Sequence, residues 1–441
     1  MTPRGLVVTA GSAVAIAIVA LWVCVALAVL TGLTAAWIVA GTINVAVAFL
    51  GAVRHRGFPR VALFGFGSVA LVLIFAAGDC QAAGAAVVNA TVLVAFLACL
   101  FLLRTMIETA PGLPRVLAGF GAMTLHERRG GVQLLAWVFG LPLAVGATGI
   151  VVPLVRRETD TGDRVDLAEW AMRGVGLTVL YSPFTIAMAV VTSILAETRL
   201  VVLIGCGFLF SLALVTSSFL LAHARLPRRL GEEFWPAAAA VIAPVLGLVV
   251  VNISIIALSP LSPAQSGLLV IPACVLLAGL WTGPGRIAKM AEATVDSLRG
   301  YDAETAVFLS ALLFAAAIRM TPGIDEAVGR LLTGVGPGPL IAFTALAITT
   351  LAIFGLHMVV STSVLLGLFA PVMPNGLHTV LLGMAALAGW GFGGMCGVGA
   401  VSFLTCARMF GVEARRLALG RNLRFIAAVY VLCGVAVLLF A

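Results

Sequence analysis

Apolar residues run along this chain in long blocks, parted by short polar or basic breaks. A helix that crosses a bilayer needs about 20 apolar residues. Hydropathy places such helices at 6–29, 33–52, 61–77, 84–108, 201–222, 236–257, 266–281, 304–320 and 425–440. Four more apolar stretches, 131–155, 166–197, 338–372 and 377–411, are interrupted by Gly, Pro, Ser and Thr. The run at 5–30 comes after Arg4 and is far longer than the roughly 7–15-residue core of a signal peptide, so it reads as an uncleaved first helix.

Composition excludes most other classes. Of 441 residues, 62% are hydrophobic and 10% charged, and the mean hydropathy is +1.18. Soluble chains carry about 25% charged residues, so a soluble enzyme, a nucleic-acid module and a disordered scaffold are ruled out. The net charge of +8 is almost all Arg, with Lys289 the single Lys, and it sits in short loops. These are Arg54/Arg56/Arg60, Arg225/Arg228/Arg229, Arg286/Lys289/Arg299 in 284–302, and Arg408/Arg415/Arg416/Arg421/Arg424, whereas 78–83 and 258–265 carry no Lys or Arg. The positive-inside rule then predicts a bacterial-type inner-membrane protein with a cytoplasmic N-terminus and an outside C-terminus. No nucleic-acid partner is expected, since no element clusters the basic residues.

Little conventional chemistry is present. Eight Cys are scattered without a Cys-x-x-Cys pair and read as packing residues, and the five His share no metal-ligand spacing. His126-Glu127 lacks the second His of a zinc motif. With no nucleophile–base pattern or phosphate-binding loop, no catalytic residues, metal site or cofactor are expected, and the chain does not read as an enzyme.

Two internal registers compete. At an offset of 170, Met188–Leu195 resembles Met358–Leu365. Near 215, several landmarks align in order: Pro111-Gly112 with Pro322-Gly323, Phe139-Gly140-Leu141 with Phe354-Gly355-Leu356, Thr148 with Ser363, and Gly174/Gly176 with Gly389/Gly391. The long register puts every strongly basic loop on one side and inverts the halves; the short one breaks that inversion. The expected fold is all-α: about eleven transmembrane helices plus two re-entrant hairpins in two inverted repeats. Residues 1–30 form an extra first helix. Residues 31–222 form the first repeat, with hairpin 131–155 and broken helix 166–197. Residues 223–441 form the second, with hairpin 338–372 and broken helix 377–411. The segments after Pro111 and Pro322 read as surface helices.

Irregular backbone within a bilayer survives only where protein covers it or water reaches it, so the hairpin tips and broken helices are the candidate site. The first hairpin turns near Gly146-Ala147-Thr148 and the second near Ser361-Thr362-Ser363, with His357 about one turn before that tip. Pro183 opens the first broken helix between Ser182 and Thr185. The glycines from Gly391 to Gly399, Gly394 and Gly397 among them, weaken the second. Half-helix N-termini exposed at such breaks attract anions, and an intramembrane His can carry a proton or donate to an anion. The competing reading is that Gly and Ser let spans pack closely. Arg104 and Glu108 read as an interfacial anchor, and Asp79, Glu197 and Arg199 as solvated.

This arrangement resembles the ion transporter superfamily of secondary carriers, in particular the divalent anion–sodium symporter family. The membrane subunit of tripartite periplasmic dicarboxylate transporters is a close second. The likeness covers most of the chain after residue 30. That family's tips carry Ser-Asn-Thr; here Ser361-Thr362-Ser363 is followed ten residues after Ser361 by Pro371, and the first tip matches at Thr148 alone. Gly stands where relatives have a Pro-containing motif in the second broken helix. The resemblance implies a small carboxylate-type anion held between tips and broken helices, coupled to a sodium or proton gradient. It implies an elevator moving against a homodimeric scaffold, here spans 33–77, 201–281 and 425–440, and accessory transport subunits in the tripartite case. It assigns Thr148, Ser363 and Gly399 to ion coupling, with Na+ as the ion. An exporter of inorganic ions or metalloids, a cation/proton antiporter and, from another class, a channel remain open as alternatives.

Overall fold

The computed structural model describes residues 3–110, 112–121, 123–143, 146–158, 160–221, 234–398 and 401–440. All the described elements are helical. Pro3–Thr31 (α1) and Thr34–Arg54 (α2) lead to Phe58–Ala77 (α3), which contains one π turn and ends on Gly78 at φ 69°. Cys80–Glu108 (α4) begins where the Asp79 carboxylate accepts the Ala82 amide at 2.8 Å, an N-cap of the usual kind. Leu113–Gly121 (α5) is short. Leu125–Leu143 (α6) and Ala147–Arg156 (α7) form the first hairpin. Thr161–Thr178 (α8) and Ile186–Ile194 (α9) are the halves of the first broken helix, with Leu200–Leu221 (α10) after them.

The remaining elements follow in order along the chain. Phe234–Leu258 (α11) and Pro263–Thr282 (α12, opened by a Ser262/Gln265 capping box) precede Pro284–Leu298 (α13) and Asp302–Met320 (α14). Ile324–Leu331 (α15) is short like α5. Pro337–Ile353 (α16) and Met358–Phe369 (α17) form the second hairpin. Gly376–Cys396 (α18), Val401–Phe410 (α19), the one-turn Ala414–Ala418 (α20) and Arg421–Phe440 (α21) complete the chain. All nine uninterrupted spans expected from hydropathy are helices, and nine described helices are long and apolar enough to cross a membrane. The chain is an integral membrane protein. The expected basic loop 284–302 is mostly helix α13, because Met290, Thr294 and Leu298 recur at helical spacing and are buried. The helices expected after Pro111 and Pro322 are present as α5 and α15, although Pro111 itself and Arg225, Arg228 and Arg229 lie outside the described residues.

The chain divides into two compact units, residues 1–109 with 248–331 and residues 110–247 with 332–441. In the first, α14 packs on α2, α3 and α4, and α12 on α4. The start of α14 is pinned by Asp302, fully buried, which accepts from Arg54 at 2.7 Å and lies 3.0 Å from His55 Nε2. The second unit holds both hairpins and both broken helices. It also holds α10 and α21, the spans 201–222 and 425–440 expected in a scaffold, because α10 packs on α8 and α18, and α21 on α16 and α18.

Candidate functional site

Glycine sets the packing inside the second unit. A Cβ on Gly174 of α8 would collide with Ala136 of α6 at 2.8 Å, and one on Gly389 of α18 would stand 2.8 Å from Ala345 O and Ile348 of α16. Each broken helix thus seats on the outer arm of its own hairpin through the glycine that the 215 offset pairs. Where α8 crosses α18, a Cβ on Gly176 would stand 2.7 Å from Gly391 O, and one on Gly391 would run into Gly176 O. These two glycines are also the pair that the 215 offset aligns.

The inner arms are exchanged. α7 packs on α19, and α17 packs on α9. Thr148, buried on α7, is hydrogen-bonded to the Cys406 thiol of α19. Gly146 is the N-cap of α7, and no side chain caps that terminus.

The first break runs from Val179 to Thr185, where expected, and all its predicted residues are buried. Ser182 donates to Leu141 O at the end of α6 and accepts the Phe184 amide at 3.2 Å, so the chain-breaking Pro183 is bracketed by a hydroxyl that ties the break to the hairpin. Thr185 caps α9 by accepting the Met188 amide at 3.2 Å and donates to Ser182 O at 3.1 Å.

Two expectations are corrected here. The second hairpin turns at Phe354–His357, four residues earlier than Ser361. Gly355 adopts φ 99°, and its amide and that of Leu356 return to Ala352 O and Leu351 O at 3.1 and 2.9 Å, a Schellman closure. His357 is therefore the N-cap of α17 and part of the turn: Nδ1 accepts the Val359 amide at 3.3 Å, which leaves Nε2 to carry the proton in the neutral ring. Ser361, Thr362 and Ser363 lie one turn inside α17. The second correction concerns the glycine-rich stretch. α18 stays helical through Cys396 and breaks only at Gly397, so Gly391 and Gly393 serve close packing, the competing reading of the sequence. A Cβ on Gly397 would stand 3.0 Å from Ala352 O, so this break lies against the end of its hairpin arm as Ser182 lies against Leu141 O. A Cβ on Gly394 would meet nothing within 4 Å. Gly399 lies outside the described residues.

Ser361, Thr362 and Ser363 are all buried. Ser361 donates to Met358 O at 3.2 Å. Among the described residues, Thr362 Oγ1 and Ser363 Oγ have no hydrogen-bond partner, although both residues are 0% exposed. A buried hydroxyl left unpaired costs about 1–3 kcal/mol. Helical Ser and Thr ordinarily donate to the preceding turn, as Thr192, Thr344 and Ser310 do here at 2.7–2.8 Å.

Sequence reasoning missed a buried charged cluster in the same unit. Asp166, Glu169 and Arg173 project from one face of α8. Asp166 pairs with Arg129 and, at 2.5 Å, with Arg421, while Glu169 accepts the Arg421 amide at 2.7 Å at the start of α21. Arg173 donates to Asn422 at 3.0 Å and stacks on Trp170 and Phe425, 4.8 and 4.6 Å from the ring centres. The signal was legible as charges at i, i+3 and i+7 in a segment otherwise apolar. Arg128 pairs with Glu158 nearby. Arg104 and Glu108 form the expected pair at 2.8 Å; Asp79, Glu197 and Arg199 are exposed.

No family model matches the chain, and no curated protein matches it. A crystal structure of the Alcanivorax borkumensis YdaH transporter, described as having an unusual topology, is similar at TM-score 0.47 and 15% identity over 78% of this chain and 85% of that one. Any functional reading therefore rests on the residues of this chain.

Proposed function

We propose that the protein is a secondary active carrier of a small organic anion, driven by a sodium or proton gradient. The observation that carries this reading is the pair of unpartnered hydroxyls, Thr362 and Ser363, buried on α17 just behind a hairpin turn. Such groups call for a ligand that accepts hydrogen bonds, and none of the predicted site residues is acidic. The starts of α7, α9, α17 and α19 add the positive ends of four short helices within one unit. His357 caps the start of α17. A single hydroxyl contributes about 1 kcal/mol net, so affinity would come from several such groups converging.

The wider reading is that of the ion transporter superfamily. Two inverted repeats, 31–222 and 223–441, are related by an axis near Gly176 and Gly391. The hairpin unit moves as an elevator, Na+ or H+ is the coupling ion at Thr148 and Ser363, and the assembly is a homodimer in the inner membrane with the N-terminus cytoplasmic. Proteoliposomes holding the full chain test it. Uptake of a small dicarboxylate should saturate and should collapse when both the sodium and proton gradients are removed. Unsaturable downhill flux without coupling would instead indicate a channel. A thermal-shift screen of small anions, with and without sodium and at two pH values, would name the ligand, since binding to the native state raises its stability.

A further inference from the structure

Among α10, α16, α18 and α21, the second unit holds a half-open cavity of about 580 Å3. Its walls include Phe210, Ile341, Phe343, Met384, Phe392 and Tyr430. No charged side chain lines it, and its hydroxyl is already committed: Tyr430 donates to Ala345 O at 2.9 Å and is hydrogen-bonded to Thr349 at 2.5 Å. Water held in a cavity needs two to four polar partners, and these walls are almost wholly apolar. The volume falls in the range of about 300–1,000 Å3 typical of small-molecule sites. The helices around it belong to the apolar part of a membrane protein, and exposed Phe343, Leu346 and Leu381 of the lining face outward. The medium at its mouth is hydrocarbon.

We propose that this cavity binds one acyl chain of a membrane phospholipid as a resident ligand. The chemistry fits on each count: an apolar wall with aromatic rings, a polar group satisfied from within, and an apolar rim that a tail can enter while its headgroup stays at the interface. Because α16 is also the outer arm of the second hairpin, the chain braces that hairpin from behind. The proposal rests on membrane embedding alone and stands whether or not the protein carries an anion.

The test uses the full chain in phosphatidylcholine vesicles doped with a phosphatidylcholine that carries a diazirine near the end of its tail. After photolysis, mass spectrometry should find Met384 and Phe392 labelled several-fold more than the outward-facing Phe75 and Leu209, and excess unlabelled lipid should suppress that label. Ala388→Phe fills the cavity and should abolish the label at Met384 and Phe392 while Phe75 and Leu209 keep theirs; Ala342→Phe is the second variant should the first fail to fold. Labelling that merely tracks exposure, with Met384 and Phe392 unmarked, overturns the proposal. So does an intermolecular cross-link between Cys206 and Cys433, both of which line the cavity, because it would make a second copy the occupant.

Discussion

Hydroxyls within the hairpin unit divide by what they donate to. Thr192 and Thr344 hand their protons to the turn before them, and Ser182 and Thr185 tie down the first break. Thr362 and Ser363 alone among the predicted site hydroxyls have no partner. The pair Thr362→Val with Ser363→Ala should therefore leave the unfolding temperature of the ligand-free protein unchanged or higher, since removing an unpaired buried hydroxyl relieves about 1–3 kcal/mol per group. The same variant should lose the thermal shift produced by substrate and most of the uptake. Ser361→Ala should weaken both only modestly, because that hydroxyl already donates to Met358 O. A large drop in ligand-free stability of the double variant would make the two hydroxyls structural.

Between elements, the deciding contacts belong to glycine. Gly389 has Ala345 O and Ile348 at 2.8 Å from where a Cβ would sit, whereas Gly394, further along the same helix, has open space. Gly389→Ala should destabilise by about 1–3 kcal/mol through overpacking, and Gly394→Ala should be neutral or stabilising by about 0.5–1 kcal/mol, as expected for a helix interior. Thermal unfolding in detergent separates the two. The hairpins and breaks were legible in the sequence because Gly, Pro, Ser and Thr, Pro183 among them, interrupt apolar runs. The exact turn of the second hairpin was not: a Ser-Thr-Ser triplet resembles a family tip, yet Gly355 can take the positive φ that closes the chain and His357 can cap the start of α17. The glycine run of α18 misled for a related reason, since glycine both weakens a helix and permits close approach, and only the neighbour decides which effect wins.

At the scale of the whole molecule, each compact unit is assembled from two distant stretches of chain. Glu169 of α8 holds the first amide of α21, 252 positions later, and a Cβ on Gly420 would strike that carboxylate. Glu169→Ala should cost about 1 kcal/mol by leaving the Arg421 amide without its acceptor. Gly420→Ala should cost a comparable amount in the native protein and much less in the Glu169→Ala background, the coupling expected of residues that share one contact. Orientation is tested separately. In a cysteine-free background, Ser262→Cys should react with an impermeant maleimide added outside cells, and Arg56→Cys only after the membrane is opened.

The sequence by itself determined that this protein lives in a bilayer, where its spans lie, that two of them break and that two hairpins interrupt the series. Those are local properties: a lipid environment forces every backbone group to be satisfied within its own segment, so apolar length and interruption can be read residue by residue. Tertiary structure alone decided which glycines pack and which break, which carboxylates are buried, and which hydroxyls are left without a partner. Each of those depends on what a remote stretch of chain places opposite, and hydropathy carries no record of the neighbour.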